Sequence, residues 1–103
     1  MSEKINVSEV SEVLRKDGNV LIDVRETPEL QETGIIPGAV HYPMSNFDST
    51  ISSLDKDKTY YIICRSGKRS ANVQNYMLEG GYEAVNVEGG MKAYDGPVNQ
   101  IND

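Results

Sequence analysis

The 103-residue chain has one cysteine, one histidine and no tryptophan. A single cysteine excludes an internal disulfide and fits a reducing compartment. One cysteine with one histidine also excludes a dense Cys/His zinc cluster. No acidic spacing of the calcium-loop type is present, so no metal is expected. No stretch is apolar enough to span a membrane. The start, Met1-Ser2-Glu3-Lys4, lacks the apolar core of a signal peptide, so a cytoplasmic location without a membrane partner is expected. Positive charge is scarce: 10 Lys+Arg face 16 Asp+Glu, a formal net charge of −6. That balance excludes the broad basic face that nucleic acid needs. With no internal repeat or low-complexity linker, residues 1–103 are read as one domain with a single modest core. The polar stretch from about residue 95 to 103 is read as a loosely held tail.

Against this background one heptapeptide stands out, Cys64-Arg65-Ser66-Gly67-Lys68-Arg69-Ser70. It follows the apolar run Tyr60-Tyr61-Ile62-Ile63 and precedes a helix-compatible segment from Ser70 to Glu79. A strand that ends on a thiol and turns into a helix sets the sulfur over the free N–H groups of a helix N-terminus, which favour an anion. Arg65, Lys68 and Arg69 lie in the same turn, and neighbouring cations favour thiolate. An acidic protein that gathers cations around its only thiol is suited to drawing in a small anion. The bland reading, an inert buried cysteine beside a solvated turn, is outweighed by the strand–loop–helix context. Gly67 is expected to give the loop the backbone freedom to point successive amides inward.

Apolar runs and turn signals alternate along the chain. Strands are expected at Ile5–Val7, Val20–Val24, Ala39–Tyr42, Tyr60–Ile63 and Ala84–Val87. Helices are expected from a Ser8 N-cap to Lys16, after a Thr27 N-cap with Pro28 at N1, over Ser49–Leu54 and over Ser70–Glu79. A short helical turn is expected over Met91–Tyr94. Such alternation predicts an α/β fold with a mainly parallel sheet flanked by helices on both faces. Ligands of such sheets bind beyond the carboxyl ends of the strands, where Cys64 falls. Asp23 and Arg25 flank the end of the second strand at the same edge. Asp23 is read either as a brace for the loop cations or as a local cap of the following turn. His41 is read as structural, packed and hydrogen-bonded.

Three further segments stand in order with the cysteine loop: Leu21-Ile22-Asp23-Val24-Arg25-Glu26, Ile36-Pro37-Gly38-Ala39-Val40-His41-Tyr42-Pro43 and Val87-Glu88-Gly89-Gly90-Met91-Lys92-Ala93-Tyr94. Together they make the chain closely resemble a single-domain rhodanese, from about Val7 to Tyr94. The resemblance implies a rhodanese-like fold with a five-stranded sheet. It also implies a sulfurtransferase that takes a sulfane sulfur from a small anionic donor such as thiosulfate and passes it to cyanide or a thiol. By position, Cys64 would be the nucleophile and persulfide carrier. Backbone amides from Arg65 to Ser70, Ser66 and Gly67 included, would cradle its sulfur. Lys68 and Arg69 match the loop's basic positions, and Arg65 sits at the mouth, where a sulfonate would be held. The chain departs from the family's usual residues at Ile35 (often histidine), Tyr94 (often tryptophan) and Leu30 (often aromatic), positions that bear on substrate preference.

The implied chemistry asks little of the protein. Sulfite is a good leaving group, so the site needs an ionised cysteine, an attractive field and stabilisation of charge on sulfur. No cofactor is required beyond the covalent persulfide itself. Because a second thiol is lacking, the acceptor must be external, either a small thiol or a dithiol protein such as thioredoxin. Two alternatives remain. A cysteine phosphatase or arsenate-reductase-like enzyme uses a related loop, but such loops resemble Cys-x5-Arg, whereas here Arg69 follows Cys64 after four residues. A non-catalytic rhodanese-like binding module would not need the cysteine and basic loop that this chain retains.

Overall fold

The computed structural model describes residues 3–101. Met1 and Ser2 of the expected leaderless start and Asn102 and Asp103 of the expected tail lie outside the described residues. Five strands, β1 (Glu3–Asn6), β2 (Asn19–Asp23), β3 (Val40–His41), β4 (Thr59–Ile63) and β5 (Glu83–Glu88), form one sheet in the order β1-β5-β4-β2-β3. Every ladder is parallel. Four helices join them: α1 (Val10–Val13), α2 (Thr27–Thr33), α3 (Phe47–Thr50) and α4 (Lys68–Glu79).

Side-chain alternation in the central strands divides the core between the two faces of the sheet. Leu21 of β2, Ile63 of β4 and Val87 of β5 pack with Val7 and Val10 on the α1 side. Ile22, Tyr60 and Ile62 pack with Phe47 of α3 and Val73 and Met77 of α4 on the other. The apolar runs of β2 and β4 follow from this double cover, as the parallel arrangement demands. No helix among the described residues is long and apolar enough to cross a membrane.

Element boundaries differ from expectation where a side chain outside the expected cap takes over. Asn6, not Ser8, caps the first helical segment, its Oδ1 accepting from the Ser8 amide at 3.0 Å. A 3₁₀ turn over Val7–Glu9 then leaves only four residues in α1. Glu26, not Thr27, is the N-cap of α2, and the Glu29 carboxylate accepts from the Glu26 amide at 2.9 Å. The helix expected over Ser49–Leu54 begins earlier, because buried Phe47 anchors α3 between two 3₁₀ turns. α4 begins at Lys68, two residues before Ser70, with Gly67 as its N-cap. The segment after Gly96 is tied down at Asn99, which exchanges two backbone hydrogen bonds with Ile35 (2.9 and 2.8 Å).

Candidate active site

β4 lies in the middle of the sheet and delivers Cys64 to its carboxyl edge, where the chain must turn sharply into α4. Cys64 is 1% exposed. Its Sγ accepts from the backbone amides of Gly67 at 3.0 Å and Ser70 at 3.4 Å, and lies 3.3 Å from the Ser70 hydroxyl. Gly67 makes this geometry attainable: its φ of +107° is a left-handed conformation that side chains disfavour. Burial pushes the thiol's pKa up. Hydrogen bonds from the Ser70 side chain and from the Ser70, Gly67 and Ser66 amides pull it down and prevail, leaving it below the ordinary 9.0.

A second backbone strap supports the loop from behind. After β5 the chain passes Gly89-Gly90, and the amides of Met91 and Lys92 donate to the carbonyls of Cys64 (2.8 Å) and Arg65 (2.9 Å). Only glycine fits at residue 90. Its φ is +58°, and a Cβ there would lie 2.5 Å from the Cys64 carbonyl oxygen and closer still to that of Arg65.

The three loop cations are not equivalent. Arg69 grips Glu29 of α2 with two hydrogen bonds, 2.7 and 2.8 Å. The Arg69 guanidinium holds the Glu29 carboxyl down at about 2, against burial that would raise it. Arg65 and Lys68 are exposed, and among the described residues neither side chain has a hydrogen bond or ion pair. Lys68 and Arg69 occupy the first turn of α4, where no acid is present. Cations oppose the helix dipole there. The cost is offset for Arg69 by Glu29, and a negative sulfur at the same helix end would offset it further.

Asp23 and Arg25 do not touch the loop cations. They form a buried pair (0% and 2% exposed), with Arg25 Nη2 2.8 Å from Asp23 Oδ2. Arg25 also donates to Thr33 Oγ1 (2.7 Å) and to the Gly34 carbonyl (2.8 Å), while Asp23 Oδ1 caps the Arg25 amide at 3.0 Å. Of the two readings of Asp23, the local cap holds and the brace on the cations does not. The pair instead ties β2 to the end of α2. His41 is structural in the same sense: its Nε2 donates to the Arg25 carbonyl at 2.6 Å.

Beside the cysteine loop lies a cavity of about 300 Å³ lined by Arg65, Arg25, Lys92, Met91, Glu29, Glu32 and Thr33. Arg65 and Lys92 therefore bring positive charge to this wall beside the acids Glu29 and Glu32, while Arg25 reaches it already paired to Asp23. Glu29, Lys92 and Asn86 were not singled out in the sequence as site residues. The only available signal among them was Asn86, a polar residue inside the apolar run Ala84-Val85-Asn86-Val87.

The chain is similar in sequence and fold to known proteins. A family model described as a rhodanese-like domain matches residues 6–96. The chain is 46% identical over 101 residues to YtwF of Bacillus subtilis, provisionally named a sulfurtransferase, covering 97% of each chain. It is 32% identical to the thiosulfate sulfurtransferase GlpE of Pseudomonas syringae, over 84% of this chain and 81% of that one. The crystal structure of a rhodanese-like domain protein from Staphylococcus aureus superposes with a TM-score of 0.87 at 35% identity, covering 97% and 99% of the two chains. With the fold and nearly its whole length in common with these proteins, the chain belongs to the rhodanese-like domain family.

Proposed function

We propose that this protein is a sulfurtransferase that carries a sulfane sulfur as a persulfide on Cys64. The observation that carries the reading is the Cys64 sulfur held by the Gly67 and Ser70 amides at the N-terminus of the 12-residue α4. Donors fixed around a sulfur stabilise the negative charge that each step of sulfur transfer places there. Relatives named sulfurtransferases support the same reading.

In the first half-reaction the Cys64 thiolate attacks the outer sulfur of thiosulfate. A new S–S bond forms to Cys64, the bond to the sulfonate sulfur breaks, and sulfite leaves with the electron pair. In the second, cyanide or a thiolate attacks the outer persulfide sulfur. Thiocyanate or an acceptor persulfide forms, and the electron pair returns to Cys64 as thiolate. Arg65, Lys68 and Lys92 draw the doubly charged donor toward the loop, while the amides of Ser66, Gly67 and Ser70 receive charge on sulfur. Since Cys64 is the only cysteine, the acceptor is external: a small thiol or a dithiol protein such as thioredoxin. No cofactor takes part beyond the persulfide.

A phosphatase reading fits less well, because the arginine that would embrace phosphate, Arg69, is committed to Glu29. The test is thiocyanate formation from thiosulfate and cyanide. The wild-type protein is expected to turn over and Cys64→Ser to be inert. Equal turnover by both would refute the reading.

A further inference from the structure

Asn86 is the polar exception in the run Ala84–Val87 of β5. Its neighbours Ala84, Val85 and Val87 are buried in the core, whereas Asn86 reaches the cysteine loop with both ends of its carboxamide. Nδ2 donates to the Gly67 carbonyl at 3.3 Å, and Oδ1 lies 2.5 Å from the Ser70 hydroxyl. A carbonyl oxygen can only accept, so Gly67 determines which way the amide faces. Oδ1 then faces Ser70, and the Ser70 hydroxyl must donate to it. The same hydroxyl lies 3.3 Å from Cys64 Sγ. One hydroxyl has one proton. With that proton on Asn86, Ser70 turns lone pairs toward the sulfur, an arrangement that suits an S–H donor and opposes a thiolate.

We propose that Asn86 is a positioning residue for the cysteine: it holds the Ser70 hydroxyl proton while Cys64 is a thiol, yields it to Sγ when the thiol ionises, and anchors the Gly67 peptide throughout. On ionisation the thiol proton leaves to solvent, and the Ser70 hydroxyl rotates about its Cβ–Oγ bond from Asn86 Oδ1 to Sγ. Asn86 gives up a short hydrogen bond in that step and thereby sets how readily the thiolate forms. In the sulfur-transfer cycle proposed above, charge then moves to the outer sulfur of the persulfide, Sγ becomes a poor acceptor, and the hydroxyl returns to Asn86. That last step rests on the proposed function; the thiol equilibrium does not.

Other charged groups surround the loop, but none competes for this hydroxyl. Arg65, Lys68 and Arg69 belong to the loop and the first turn of α4, Glu29 of α2 is bound to Arg69, the Asp23–Arg25 pair closes on itself at the end of β2, and Lys92 follows β5. None of these groups is bonded to Asn86, so changing it removes only its hydrogen bonds to Ser70 and to the Gly67 carbonyl, and the sign of the effect on the sulfur separates the two.

With a single cysteine, the pH dependence of the alkylation rate reads Cys64 alone. Asn86→Ala is expected to lower the midpoint by roughly one pH unit, because Ser70 then donates to sulfur without a competing acceptor. Ser70→Ala is expected to raise it. The double variant should lose the decrease seen in Asn86→Ala, since that decrease requires the Ser70 hydroxyl. A purely structural role for Asn86 predicts the opposite sign, a raised midpoint as the loop loosens; that result, or no change, would overturn the proposal. Asn86→Leu, which keeps the bulk, is the second variant with the same expected sign. In the unaltered protein, the NMR shift of the Asn86 side-chain amide should follow the Cys64 titration, and a flat response would also overturn it. A lowered midpoint in a protein that forms no persulfide would leave this assignment standing and refute the proposed function. A persulfide on Cys64 with an unmoved Asn86→Ala midpoint would do the reverse.

Discussion

Cys64 is activated by fixed backbone and hydroxyl donors more than by the cations first noticed beside it. Burial works against its ionisation, and the amides of Ser66, Gly67 and Ser70 with the Ser70 hydroxyl more than reverse that effect. A folded-state pKa below 9.0 means that the thiolate persists to lower pH than in an unfolded chain. The alkylation rate of the native protein should therefore reach half its maximum below the midpoint measured after denaturation; coincident midpoints would contradict this. In the proposed function the cations have a separate task, capture of the anionic donor. Arg65→Ala and Lys68→Ala should each raise the KM for thiosulfate about three- to tenfold with kcat little changed, as expected for exposed charges that attract substrate without touching the reacting sulfur. Steady-state kinetics with unchanged KM in both variants would remove the steering role.

At the scale of elements, two further contacts besides those of Asn86 hold the loop against the rest of the fold. The Glu29–Arg69 pair joins residues 40 apart in sequence and clamps α2 to the start of α4. Both side chains are about one-third exposed (34% and 31%), so solvent screens the pair and its loss in Glu29→Gln should cost only about 1 kcal/mol. Its pH dependence is more telling. Glu29 titrates near 4.5 when free and about 2 when paired, so the stabilisation is fully present above 4.5 and disappears as pH falls toward 2. Urea unfolding should show the wild-type advantage over Glu29→Gln at neutral pH and its decline across that acid window; a constant difference would contradict the pairing. Gly90 makes the other contact. Gly90→Ala forces a Cβ onto the Cys64 and Arg65 carbonyls, which belong to backbone and cannot move aside cheaply. A loss of roughly 2 kcal/mol or more in the same unfolding assay is expected, with reduced sulfur transfer.

These elements also show what a sequence can reveal. β2 and β4 are legible because strands covered on both faces read as continuous apolar runs, and the cysteine loop is legible because its parts are adjacent in the chain. The start of α4 is less so: Lys68 and Arg69 are poor first-turn residues, and the helix begins there because Gly67, Glu29 and the sulfur compensate. The Glu29–Arg69 clamp depends on tertiary proximity, which no local pattern encodes, whereas Asp23 and Arg25, two residues apart, were legible as a local cap but not in their link to Thr33. Asn86 was visible only as a polar interruption in a strand; its contact with Ser70 requires β5 and α4 to be packed together.

The whole molecule sets the electrostatic context. A chain of net charge −6 should repel a dianion at long range, yet Arg65, Lys68 and Lys92 lie around one edge of the sheet. The attraction must therefore come from the local field of these exposed cations on the approaching donor, which added salt screens at separations beyond a Debye length of about 8–10 Å. Raising ionic strength should lower kcat/KM for thiosulfate, and a salt-independent value would argue that donor capture is not electrostatic. The sheet order β1-β5-β4-β2-β3 is what brings these groups together, because central β4 is flanked by β5 and β2, whose carboxyl ends supply Lys92 and the Arg25 link. All of this rests on Cys64 carrying sulfur. The direct measurement is the intact mass of the protein after exposure to thiosulfate, beside Cys64→Ser treated in the same way. The account predicts a gain of about 32 Da in the wild type alone, lost on adding cyanide or dithiothreitol. A reduced, alkylatable Cys64 that gains no mass would contradict it.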